Sequence, residues 1–155
     1  MTNYMPDDTD RRLLRYMQAD PMLSTSELAG LAGVSSTVAW RRLDRLAQNG
    51  VLAGVEAVID WTALGYGVEV SLRITIDKTR ANAFDELILR AREVPEVTEI
   101  QTFLGRVDLR LNILARDMAH YTQLYRDRIL TLPHIQDIEQ LMLISTVKND
   151  PALPL

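Results

Sequence analysis

The chain has 155 residues and no cysteine, with 47% hydrophobic and 25% charged residues. This composition predicts a packed globular core, and it excludes disulfides, thiolate catalysis and cysteine-based zinc sites. The formal net charge of −4 argues against a general polyanion binder, because non-specific DNA affinity comes from lysine and arginine at phosphates. No apolar run approaches the ~18 residues of a membrane span, and the first residues lack a secretion signal. We therefore expect a cytoplasmic protein with no membrane partner.

The sequence of the N-terminal third of the chain predicts short helices. Residues 1–7 are interpreted as a loose arm, and a helix follows from about Asp8 to Gln18, with acidic residues at the positive end of its dipole. The buried edge of this helix is predicted to be Leu13, Leu14 and Met17. Ser24 and Glu27 form a capping box that starts a second helix. Leu28 and Leu31 are predicted to point inward from it, and a tight turn at Gly33 ends it.

The third helix is interpreted as the recognition helix of a helix-turn-helix. Ser35 is a good N-cap, Asn49-Gly50 is a good stop, and the buried stripe is Ala39, Leu43 and Leu46. Its opposite face carries small hydroxyls in the first turn and then arginines, which suits the major groove of DNA. Hydroxyls and Arg41 can reach bases or phosphates, and Arg42 and Arg45 can bind phosphates. The predicted DNA-binding residues are Ser35, Ser36, Thr37, Trp40, Arg41, Arg42 and Arg45.

Charge distribution bears on this interpretation. Residues 1–60 hold six arginines, no lysine and eight acidic residues, whereas residues 35–50 hold three arginines and one aspartate. A small positive patch on an acidic protein favours a site-specific binder that needs a dimer to gather enough phosphate contacts. The alternative is an ordinary three-helix bundle with solvated arginines. For Trp40, a core or interface role is favoured over packing against the DNA backbone.

The next segment marks a domain boundary. Val51–Asp60 is rich in β-branched residues and predicts a strand, either a wing or a strand that pairs with its copy in a dimer. Gly65-x-Gly67 is interpreted as a turn and not as a dinucleotide-binding loop, since Val70 stands where that motif needs its third glycine. The predicted domains are a winged helix-turn-helix in 1–60, a linker in 61–67 and a second domain in 68–155.

The second domain alternates strands and helices. Strands are predicted at 68–77, 97–104, 107–115 and 135–147, and helices at 80–93 and 117–130. This β-α-β-β-α-β order is the ferredoxin-like plan, so the predicted fold class is α+β. Predicted inward residues of the helices are Phe84, Leu87, Ile88, Ala91, Tyr121, Leu124, Tyr125 and Ile129. Both helices are expected on one sheet face, so we expect the other face to pair with another subunit.

Five short motifs, in order along nearly the whole chain, resemble the Lrp/AsnC (feast/famine) transcriptional regulators. The first three are Asp10-Arg11-Arg12-Leu13-Leu14, Val34-Ser35-x-Thr37 and Arg42-Leu43-x-Arg45-Leu46. Gly50-Val51-Leu52-x-Gly54, continued by Ala57-Val58-Ile59-Asp60 and Leu64-Gly65, resembles the family's strand and linker. Gly105-x-x-Asp108 resembles the loop of its ligand-sensing (RAM) domain.

The resemblance implies a winged helix-turn-helix joined to a ferredoxin-like domain, in homodimers that can assemble into octamers. It also implies an amino acid or related metabolite bound between dimers near Leu104, Gly105, Arg106, Val107 and Asp108. The Gly105 backbone would hold the ligand carboxylate, and Asp108 would face the ammonium. An ordinary turn-flanking carboxylate is the alternative for Asp108. This sequence has Leu104 where the family often has a hydroxyl residue, and Pro6 and Thr9 where it usually has apolar ones.

Two other functions are alternatives. Some tetrapyrrole decarboxylases resemble the same two-domain plan, but here the only histidines are His120 and His134, and no nucleophile elbow, P-loop or local metal pair is present. No catalytic residue, metal or cofactor is therefore predicted. A ligand-binding protein without DNA binding is the other alternative, which the arginines of the recognition helix disfavour. The predicted function is a DNA-binding regulator that responds to a small effector.

Overall fold

The computed structural model describes residues 4–149 and 152–154, and the chain divides into two units. The first unit comprises Met1–Val58 and Lys148–Leu155, and the second comprises Ile59–Val147. The C-terminal segment from Lys148 is thus grouped with the helical unit. The boundaries of the predicted domains remain a prediction. In the described part of the chain, no helix has both the length and the apolar character needed to cross a membrane.

The first unit consists of three helices, α1 (Asp8–Ala19), α2 (Thr25–Ala32) and α3 (Ser36–Gln48). The Ser24–Glu27 capping box and the Ser35 N-cap are confirmed. Gly33 ends α2 with a φ of 69°, a left-handed conformation that glycine enters without steric cost. The core of the unit is formed by Leu13, Leu28, Ala29, Ala32 and Ala39.

Three predictions for this unit are wrong. Leu31 is 50% exposed, because the buried face of α2 consists of Leu28, Ala29 and Ala32. The predicted arm is not loose over its described part, since Tyr4 and Asp7 both hydrogen-bond to Asp10; residues 1–3 lie outside the described residues. The Val51–Asp60 segment forms no wing strand within its own chain, because no described strand pairs with it. Its β-branched composition favours extended backbone, but a strand also needs a hydrogen-bonded neighbour. The other alternative, pairing with its copy in a dimer, stays a prediction.

The second unit is an antiparallel sheet with two helical segments, and it confirms the predicted order. Its elements are β1 (Val68–Ile76), α4 (Ala83–Ala91), β2 (Val97–Thr102), β3 (Leu109–Ala115), α5 (Met118–Leu124) and β4 (Ile135–Met142). A π-helical turn over Tyr125–Ile129 continues α5. The strands lie in the order β2-β3-β1-β4. β4 ends before the predicted limit of 147, and Ile144 and Val147 are almost fully exposed.

The two sheet faces differ in chemistry. One face buries Val70, Leu72, Leu111 and Ile113 against residues of α4 and α5, among them Leu87 and Tyr121. The predicted burial of Phe84 is wrong, since Phe84 is 37% exposed and Ala83 takes the inward position. The opposite face, called here the polar face, is covered by no described helix. It carries Ser71, Arg73, Arg110, Asn112, Glu139 and Leu141, which are paired across the strands.

Candidate nucleic-acid interface and ligand-binding loop

The outer face of α3 presents the predicted contact residues to solvent. Ser35 uses its hydroxyl as the N-cap, accepting from Val38 N–H at 3.4 Å. Ser36, Thr37 and Arg41 are exposed, and the Arg41 guanidinium has no ion pair with a described residue. Trp40 is 62% exposed, so a core role for it is wrong. A projecting aromatic side chain and a neighbouring unpaired arginine suit contact with a polyanion.

Arg42 differs from the other arginines of α3 because it is used inside the unit. Its Nη1 donates to both carboxylate oxygens of Asp7 at 2.7 Å and to Asp10 Oδ1 at 2.9 Å. The two carboxylates raise the pKa of Arg42, and its hydrogen bonds lower the pKa of Asp7 to about 2. These bonds join α3 to the start of α1. To bind a DNA phosphate as predicted, the Arg42 guanidinium would have to exchange its bonds to Asp7 and Asp10.

Asp10 is the buried centre of this network, with its side chain 1% exposed. Its Oδ2 accepts from the Tyr4 hydroxyl at 2.5 Å and from Asp7 N–H at 3.1 Å. Burial alone would raise the pKa of Asp10, but the hydrogen bonds from Tyr4, Arg42 and Asp7 N–H outweigh it, and the pKa lies below its ordinary value. The carboxylate is therefore held in its charged form. A buried charge is costly unless it is paired and hydrogen-bonded, and Asp10 has such partners.

Arg45 lies between this network and solvent. Its Nη2 is 3.5 Å from Asp10 Oδ2, and its guanidinium carbon lies 4.8 Å from the centre of the Tyr4 ring. The side chain is nevertheless 48% exposed. Tyr4 and Asp10 thus limit the rotamers of Arg45 while its outer edge stays open, which lowers the entropy lost when it binds an anion.

Sequence reasoning missed this network, although one signal was present. Asp7 and Asp10 have the spacing of a capping box, and the structure shows both halves of that box. The sequence pattern of these acidic residues indicates only partners of the helix dipole. Their pairing with Arg42 joins residues 35 positions apart, and no local pattern indicates such a contact.

The predicted effector loop follows β2 in the second unit. Phe103 N–H donates to Asp108 C=O at 2.9 Å, which closes the loop. Leu104 at its tip is fully exposed, and a Cβ added at Gly105 would meet nothing within 4 Å. Arg106 is exposed and Val107 is partly buried. Apart from Asp108, the predicted ligand-binding residues therefore lie on an open surface loop.

Asp108 is buried and already has two partners. Its Oδ2 accepts from Ile76 N–H at 3.0 Å, and its Oδ1 lies 2.8 Å from Lys78 Nζ. Burial alone would raise the pKa of Asp108, but these two partners outweigh it and lower the pKa. Lys78 is 70% exposed, so its ammonium occupies the solvent side of the carboxylate. The structure thus contains a cation where the resemblance implies a ligand ammonium.

The chain combines two kinds of unit. One is a helix-turn-helix whose third helix exposes arginines, and the other is a ferredoxin-like unit. This combination is typical of two-domain DNA-binding regulators. The chain belongs to the Lrp/AsnC family of transcriptional regulators. The model of the AsnC-type helix-turn-helix domain matches residues 7–47, and that of the Lrp/AsnC ligand binding domain matches residues 69–153. The predicted family and fold class are confirmed.

Individual relatives resemble the chain over nearly its whole length. It is 27% identical to the DNA-binding transcriptional activator DecR of Escherichia coli K12, over 97% of this chain and 99% of that protein. The crystal structure of an AsnC family transcriptional regulator from Agrobacterium tumefaciens is 28% identical, with a TM-score of 0.85 and coverage of 96% and 97%. The feast or famine regulatory protein from M. tuberculosis, complexed with L-methionine, is 27% identical, with a TM-score of 0.82 and coverage of 95% and 97%. These similarities favour the predicted regulator over the enzyme alternative.

Proposed function

We propose that this protein is a site-specific DNA-binding transcriptional regulator that acts as a dimer and responds to an amino acid. The observation that carries the proposal is the exposed face of α3, where Trp40 and Arg41 project into solvent beside Arg45. Two such helices in one dimer would enter successive major grooves, with half-sites about one helical turn or a multiple of it apart.

We assign different roles to the arginines of α3. Arg41 and Arg45 are the phosphate or base contacts, because both guanidinium groups reach solvent. Arg42 fixes the position of α3 through Asp7 and Asp10. Ser36 and Thr37, in the first turn, contact base edges or phosphates.

The DNA contacts can be tested by binding measurements on an operator selected from a random DNA pool. Arg41→Ala and Arg45→Ala should each weaken binding, and each should lower the slope of log affinity against log salt by about 1 per lost phosphate contact. Arg126→Ala is the matched control, since it removes one exposed positive charge from the second unit. Unchanged affinity and salt slope in both α3 variants would contradict the assignment.

The dimer is proposed to form through the polar face. In the strand register, Leu141 is opposite Ser71, so it lies on this face, and it is 36% exposed. Leu141→Asp should shift the sedimentation coefficient from dimer to monomer, because a buried unpaired charge is costly. Leu89→Asp, on the exposed side of α4, is the control. A monomeric parent, or a dimer in the Leu141 variant, would contradict this interface.

The effector is proposed to bind at Leu104–Asp108, with backbone N–H groups around Gly105 receiving its carboxylate. The neighbour solved with L-methionine supports an amino acid as the class to screen, by thermal shift with all twenty. A ligand that binds the native state raises the unfolding midpoint. Leu104→Asp should reduce this shift by repelling the carboxylate, whereas Leu104→Asn should retain it. Equal shifts in both variants would place the ligand elsewhere.

A further inference from the structure

One cavity in the sheet unit has no role in the proposed function. Its volume is about 330 Å³, which suits a small metabolite. Arg116, on its wall, directly follows β3, whereas the Leu104–Asp108 loop directly precedes the same strand. At about 3.3 Å per residue, the length of β3 places this cavity roughly 20 Å from the proposed effector loop. It is therefore a separate candidate site.

One wall of the cavity is aromatic. The rings of Trp61 and Tyr66 lie edge to face, 6.4 Å apart at 81°. Tyr66 N–H and Leu64 N–H both donate to Trp61 C=O, at 2.9 and 3.1 Å, and fix the turn that carries the rings. Trp61 is nevertheless 50% exposed. Two ordered aromatic rings left open to solvent offer a stacking surface for a planar group.

Polar residues form another part of the cavity wall, and hydrogen bonds hold its parts together. Gly67 N–H donates to Arg116 C=O at 3.2 Å, which ties the aromatic turn to the end of β3. Arg116 N–H donates to His120 Nδ1 at 3.2 Å, so the neutral ring carries its hydrogen on Nε2. This nitrogen lies 3.6 Å from Glu96 Oε1, beyond ordinary hydrogen-bond distance.

The charged ends of this wall are available for a ligand. Within residues 4–149 and 152–154, the Arg116 guanidinium has no ion pair, and the Glu96 carboxylate accepts no hydrogen bond. A cation and an anion therefore line one cavity without neutralising each other, and two aromatic rings line the same cavity. A guanidinium matches the planar geometry of a carboxylate, and Glu96 suits an ammonium.

We propose that this cavity is a binding site for a zwitterion with an aromatic side chain, such as an aromatic amino acid. Arg116 and His120 Nε2–H hold the carboxylate, and Glu96 holds the ammonium. Trp61 and Tyr66 stack against the ring. The site lies outside the effector loop.

The tryptophans allow a direct test on the full chain. The protein has two of them, so Trp40→Phe leaves Trp61 as the single fluorescent indole, inside the cavity wall. We would titrate this variant with L-phenylalanine, with 3-phenylpropionate, which lacks the ammonium, and with 2-phenylethylamine, which lacks the carboxylate. We expect L-phenylalanine to change the Trp61 emission and to bind more tightly than either analogue. In the Trp61→Phe chain, where only Trp40 emits, L-phenylalanine should leave the emission unchanged.

Two charge-removing variants then identify the contacts. Arg116→Met should weaken binding of L-phenylalanine and 3-phenylpropionate by about tenfold or more and leave 2-phenylethylamine unaffected. Glu96→Gln should weaken L-phenylalanine and 2-phenylethylamine and spare 3-phenylpropionate. Arg126→Met, an exposed arginine on the helical segment after α5, is the matched control and should bind as the parent does.

Several results would overturn the proposal. One is no change in Trp61 emission with L-phenylalanine up to about 10 mM, a concentration well above the dissociation constants typical of specific sites. Another is equal affinity in Arg116→Met and the parent. Binding that is lost in Leu104→Asp but kept in Arg116→Met would support the proposed effector loop and overturn this second site. Binding lost only in Arg116→Met and Glu96→Gln would support this site independently of the loop.

Discussion

Asp10→Asn should markedly destabilise the helical unit. Asp10 is buried, and its Oδ2 accepts from the Tyr4 hydroxyl and from Asp7 N–H, with Arg45 3.5 Å away. Asparagine keeps one oxygen, which can still bind Arg42, but its amide NH₂ then faces those donors. A hydrogen bond to a charged group contributes about 1.5–3 kcal/mol. Losing two of them would cost about 3 to 6 kcal/mol, and water that partly replaces the Tyr4 contact reduces the expected loss in the free energy of unfolding to about 2 to 3 kcal/mol.

The measurement is urea unfolding of the full chain in a Trp61→Phe background, where Trp40 on α3 reports the helical unit alone. Asp8→Asn is the matched control, because it removes one negative charge from the same helical turn at an exposed position. Its effect should be only a few tenths of a kcal/mol, from the helix dipole. If Asp10→Asn and Asp8→Asn differ by less than about 0.5 kcal/mol, Asp10 does not link α1 to α3 as described.

Three further outcomes are expected. The pKa values of Asp7 and Asp10 are lowered in the folded state, that of Asp7 to about 2. Their contribution to stability is therefore complete above about pH 5 and is lost as the pH falls through the folded pKa values. Acid unfolding followed by Trp40 emission should be less pH-dependent in Asp10→Asn than in the parent. Ser24→Ala should lower the stability of the helical unit by about 1 kcal/mol in the same urea assay, because it removes the capping hydroxyl of α2. Leu72→Ala, in the centre of β1, should cost about 2–5 kcal/mol by Trp61 emission in a Trp40→Phe background, and a loss below 1 kcal/mol would contradict its place in the core.

Local patterns were sufficient for most of the elements. Ser24 with Glu27 predicted the start of α2, and the alternation from Val68 to Ile76 predicted β1 and its buried face. These features depend on interactions within a few residues, or on a periodicity that one buried face imposes. The exposed face of α3 followed from the same reasoning, since the stripe ending at Leu46 leaves Trp40 and Arg41 outside.

Tertiary structure alone decided three things. Arg42 looks like its neighbour Arg41 in the sequence, but only the packing of α3 on α1 brings it to Asp10. The β-branched composition around Val55 predicts a strand, but no described strand of the same chain lies beside it to complete the hydrogen bonds. Arg116 and Trp61 are 55 positions apart and line the same cavity only because the sheet brings them together. The sequence by itself determined which faces are apolar and where helices begin, because those depend on neighbours along the chain. The partners of buried charges depend on neighbours in space.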